Sequence, residues 1–109
     1  MNVRLYLWQR GTAALLAPLV LIHIAVIFYA VRQGLSAPDI LSRTHGSIVW
    51  ASYYGLFVAA VSIHASIGLR NILVEWSPLT PRAADWFAVM FGTLLAMLGA
   101  RAIYAVVLA

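Results

Sequence analysis

Three long apolar stretches separated by short polar ones make up almost the whole chain. The first runs from about Thr12 to Val31, the second from about Gly46 to Leu73 and the third from about Trp86 to Ala109. Each reaches the roughly twenty residues that a helix needs to cross a hydrocarbon core about 30 Å thick. Helix is the expected conformation, because an open strand would leave backbone groups unpaired in lipid. The intervening segments read as loops. Arg32 to His45 carries Gly34, Ser36, Pro38, Asp39 and Arg43; Glu75 to Asp85 carries Ser77, Pro78, Pro81 and Arg82. Pro78 and Pro81 are expected to stop the second helix and start the third. The pattern predicts an all-α integral membrane fold, a single transmembrane domain over 1–109 with helices at about 12–31, 46–73 and 86–109.

Composition agrees. Of 109 residues, 64% are hydrophobic and 9% charged, against roughly half and about a quarter in a soluble domain. So small and apolar a chain is not a free-standing soluble enzyme. The first apolar run is too long for a cleavable signal, and no soluble portion follows it. The lack of cysteine excludes a disulfide framework, a thiolate metal site, an iron–sulfur cluster and a cysteine nucleophile in this chain.

All seven basic residues are arginines, and the formal charge of +4 is scattered. No concentrated basic face exists for nucleic acid. Trp8, Trp76 and Trp86 are expected at one membrane interface and Trp50 at the other. Arg4, Arg10, Arg70 and Arg82 fall on the N-terminal side, Arg32 and Arg43 on the opposite side with Arg101 near them. That bias, though small, favours a cytoplasmic N-terminus.

Candidate chemistry resides in three histidines and one arginine. An ionisable residue at membrane depth is a functional candidate by default, set against a histidine that merely bonds a neighbouring helix. His23 lies near the middle of helix one and His64 within helix two, while His45 lies at a boundary, where the structural role is favoured. Gly68 stands one turn after His64 on the same face. An imidazole beside a small residue forms a notch in which a porphyrin can lie, and a neutral imidazole ligates iron. Arg101 is deeper in helix three and either pairs with an anion, such as a haem propionate or a partner's carboxylate, or snorkels to the interface. Three carboxylates, Asp39, Glu75 and Asp85, lie at helix ends or in loops. They assemble no paired-carboxylate site, phosphate loop or nucleophilic triad.

The run Ser62-Ile63-His64-Ala65-Ser66-Ile67-Gly68-Leu69-Arg70-Asn71-Ile72-Leu73-Val74-Glu75-Trp76 resembles the second-helix signature of succinate dehydrogenase and fumarate reductase membrane anchors, closest to the small D-type anchor. Its histidine, the glycine four residues later and the acidic residue seven beyond are His64, Gly68 and Glu75 here. Trp8-Gln9-Arg10-Gly11-Thr12-Ala13 resembles the family's entry into helix one. The resemblance implies half of a haem-binding bundle in a complex II-like respiratory enzyme, in the inner membrane of a bacterium. The partners would be a flavoprotein subunit, an iron–sulfur subunit and a second membrane anchor, either another protein or a second copy of this one. The chain itself would catalyse nothing; it would help pass electrons between iron–sulfur clusters and quinone.

Residue by residue, the resemblance makes His64 an axial ligand of haem b and places Arg10 near a quinone. Trp76 stands where the D-type anchor commonly has a quinone-bonding tyrosine. An indole can donate one hydrogen bond but cannot relay a proton as a phenol does, so the quinone site departs from the pattern here. His23 departs from the single-haem pattern and fits a second haem at another depth, with His45 an alternative ligand. One haem is the expectation and two the alternative. A rival reading is a small transporter or channel subunit in which His23 and His64 relay protons; a third is an assembly subunit without cofactor.

Overall fold

A computed structural model describes residues 2–108. Its elements are α1 (Val3–Gln33), α2 (Ala37–Thr44), α3 (Ile48–Trp76) and α4 (Pro81–Ile103), the last running on through a π turn (Tyr104–Leu108). α1, α3 and α4 are the three spans. α3 lies between α1 and α4 and runs antiparallel to both, in a body of 48 × 24 × 22 Å.

The helices outrun the apolar stretches because their ends are set by caps rather than by oil. Asn2 accepts from the Leu5 N–H at 2.8 Å and starts α1 nine residues before Thr12. Thr80 caps α4, with Pro81 in its first turn, where the missing N–H costs nothing. α3 ends at Trp76, because the residue before Pro78 is pushed out of helical geometry.

The expected loop over Arg32 to His45 is corrected: it contains α2. Ser36 is the N-cap, Pro38 lies in the first turn, and Asp39 accepts from the Ser36 hydroxyl at 2.6 Å. The residues that break one helix thus start another.

In lipid the helices gain little from hydrophobic association, so small residues and interhelical hydrogen bonds hold them together. α1 faces α3 through Gln9, Thr12, Leu16, Leu19 and His23, a seam of alternating three- and four-residue steps. The Tyr53 hydroxyl donates to the Leu19 carbonyl across this seam at 2.6 Å. α4 offers α3 a small-residue face of Ala84, Ala88, Gly92 and Gly99. The Ser66 hydroxyl donates to the Ala88 carbonyl at 2.7 Å.

A third tie closes the end of α4. The Thr44 hydroxyl donates to the Val106 carbonyl at 2.5 Å, and the Gly46 N–H donates to the Val107 carbonyl at 2.7 Å. Gly46 has φ 72°, a left-handed geometry that glycine adopts without strain. Thr44→Val should leave the Val106 carbonyl short of a donor and lower stability by about 1 kcal/mol. A thermal melt of the purified protein in detergent reads this, and an unchanged midpoint would refute the tie.

Candidate functional site

The antiparallel hairpin of α1 and α3 brings His64 level with Thr12. The His64 Nδ1 lies 3.2 Å from the Thr12 hydroxyl oxygen and 3.2 Å from the Gln9 carbonyl oxygen. The Thr12 hydroxyl has one proton, and its acceptors are the Trp8 carbonyl at 2.7 Å and the Gln9 carbonyl at 3.1 Å. Toward the ring, therefore, both Thr12 and Gln9 are acceptors. Nδ1 must carry the proton, and Nε2 keeps its lone pair. Nε2 has no hydrogen-bond partner among the described residues, and the side chain is half-exposed. This is the state in which a histidine ligates a metal.

A polar chain runs from this point to the membrane surface. The Gln9 side-chain carbonyl accepts from the Asn71 amide at 2.9 Å, and Asn71 accepts from the Arg70 guanidinium at 3.5 Å. The Arg70 Nε then meets the Asp85 carboxylate at 2.5 Å, tying α3 to α4. Gln9, Thr12, Asn71 and Asp85 escape a residue-by-residue reading. The signal that could find them is depth: an antiparallel hairpin puts residues nine to twelve opposite 64 to 71.

Gly68 faces the Gln9 side chain, whose nitrogen would stand 3.6 Å from an added Cβ. The expected notch beside His64 is thus lined by an amide. Arg10 is exposed, with its guanidinium 5.6 Å from the centre of the Tyr6 ring. Trp76 is 84% exposed at the end of α3, about 18 Å along the axis from His64. His45 is exposed at the end of α2.

His23 is elsewhere. It packs edge-on against Tyr54 and Phe57, at ring-centre distances of 6.1 and 5.4 Å. Its Nδ1 is buried with no hydrogen-bond partner. It opens onto a cavity of about 460 Å³ shared with Arg43, Trp50 and Tyr54. About 15 Å of the α3 axis separate Tyr54 from His64, and Phe57 lies between. The two histidines do not converge on one atom, and among the described residues no chain of hydrogen bonds links them.

Arg101 reaches neither histidine. It is exposed, on the side of α4 opposite Gly99, which lines a cavity beside His23. It is also about 13 Å along the axis from Gly92, the α4 residue that faces Ser62 and Ser66.

A haem asks less of a chain than a bare metal ion does. No three His, Asp or Glu side chains converge among the described residues, yet one imidazole with a free Nε2 at membrane depth meets the need for an axial ligand. Residues 2–106 match the family described as the succinate dehydrogenase/fumarate reductase transmembrane subunit. The chain belongs to that family. No curated protein and no solved structure matches it. As a complex II membrane subunit it is non-catalytic, and its three apolar helices are the family's membrane-spanning part.

Proposed function

We propose that this subunit anchors the flavoprotein and iron–sulfur subunits of a succinate:quinone or fumarate:quinone oxidoreductase, holds haem b through His64, and borders the quinone site. The carrying observation is the His64 ring, with Nδ1–H committed to two acceptors and Nε2 left for iron. The haem supplies one-electron exchange between iron–sulfur clusters and quinone. The protein's part is to fix the imidazole, keep the cofactor in apolar surroundings and complete the bundle with a second anchor chain.

Arg10 and the Arg70–Asp85 pair stand at the end of the bundle where Trp8, Trp76 and Trp86 gather. This end, which we assign to the cytoplasm of a bacterium, meets the soluble subunits, and Arg10 and Trp76 are its quinone-side candidates. His23 is the candidate ligand of a second haem. The Arg43-bearing cavity onto which it opens supports that role. Arg101, turned outward, is a candidate partner for an anionic group of the second anchor.

The test is purification of the complex from native membranes. A flavoprotein and an iron–sulfur protein should copurify, and dithionite should bring up b-type absorption bands. Absence of the bands would remove haem from the proposal; absence of both soluble subunits would remove the proposal itself.

A further inference from the structure

We propose that Thr12 is a positioning residue for His64: its hydroxyl oxygen accepts the Nδ1–H, fixes the tautomer and strengthens the donation of Nε2 to iron. This rests on the reading that His64 is an axial ligand. Thr12 is 6% exposed and sits in the α1–α3 seam, within 3.2 Å of the ring nitrogen. The direction of its hydroxyl is set from behind, since its one proton goes to the backbone of the preceding turn, to Trp8 at 2.7 Å with Gln9 at 3.1 Å. A hydroxyl that gives its proton to a carbonyl becomes a better acceptor on its other side. The Gln9 carbonyl shares the same N–H at 3.2 Å, but as backbone it cannot be varied independently. Thr12 is therefore the adjustable part of the ligand's outer shell.

Such outer partners orient a ligating imidazole and raise its basicity. A more basic imidazole favours the ferric state, so Thr12 lowers the potential of the haem that His64 holds. Positioning differs from packing in what it requires of the side chain. The two roles separate because valine keeps the shape and loses the acceptor, while serine keeps the acceptor and loses the methyl.

The experiment compares complexes carrying wild-type, Thr12→Val, Thr12→Ser and His64→Ala chains, by reduced-minus-oxidised spectra and by redox titration of the b-type bands. Thr12→Val should shift the midpoint potential upward, and Thr12→Ser should hold it at the wild-type value. Loss of haem from an assembled Thr12→Val complex, with haem kept in Thr12→Ser, would equally support positioning. Equal potentials in all three haem-bearing complexes, or a serine shift as large as the valine one, would overturn the proposal. If the valine chain does not assemble, Thr12→Ala leaves room in the seam and must show the same upward shift. Bands that persist in His64→Ala would instead overturn the ligand assignment beneath it.

Discussion

Replacing His64 by alanine should strip the b-type bands of the haem it holds from the purified complex while leaving the subunits assembled. The two halves of that expectation have separate causes. Iron loses its imidazole, and no other histidine of the chain lies near that depth: His23 is level with Tyr54, and His45 is outside α3. Assembly survives because, among the described residues, the side chain's own hydrogen bonds go to Thr12 and Gln9 alone, and interhelical bonds of this kind contribute about 0.6 kcal/mol on average in a membrane. Bands unchanged in shape and intensity would clear His64 of the role. His23→Ala is the companion measurement: it removes a second set of bands where there are two haems and removes nothing where there is one.

The largest effect on stability should come from a methyl group at Gly99. A Cβ there would lie 2.5 and 2.6 Å from the two methyls of Val58 and 3.1 Å from its Cβ. Valine in a helix holds essentially one rotamer, so the crowded methyls cannot rotate away and α3 and α4 must part. Overpacking of this sort costs about 1–3 kcal/mol, visible as a lowered unfolding midpoint in detergent. Val58→Ala introduced together with Gly99→Ala should recover most of the loss, as a coupled pair does. Gly55→Ala provides the contrast. Nothing lies within 4 Å of its added Cβ, and removing a mid-helix glycine should stabilise by about 0.5–1 kcal/mol. A Gly99→Ala protein as stable as the wild type would refute the close packing of Gly99 against Val58.

The three spans were readable in the sequence because hydropathy reports the solvent a segment lives in. It does not report where a helix stops. α1 begins at Val3 because Asn2 caps it, and α2 was hidden because Ser36, Pro38 and Asp39 signal both a break and a beginning. His64 was readable as a candidate from its residue type and depth. Its partners were not, since Gln9 and Asn71 carry no periodic signal and acquire meaning only when α1 and α3 lie side by side. Gly68 teaches the same lesson in reverse: a glycine announces space, and only the fold reveals that the Gln9 amide borders it. Arg101 was readable as an oddity at membrane depth, but its outward direction depends on which face α4 gives to α3.

The two histidines also differ electrically. His64 is level with Thr12, where the apolar run of α1 begins, and His23 stands eleven residues farther along α1, about 16 Å and thus half of a 30 Å hydrocarbon layer. Carrying one charge through the whole layer involves about 2.3 kcal/mol per 100 mV of membrane voltage. On the proposed haem assignments, an electron held at the His64 level has not crossed the half-layer that separates the two histidines. One that travels on to His23 crosses half of the field, so its energy rises or falls with the voltage the cell maintains.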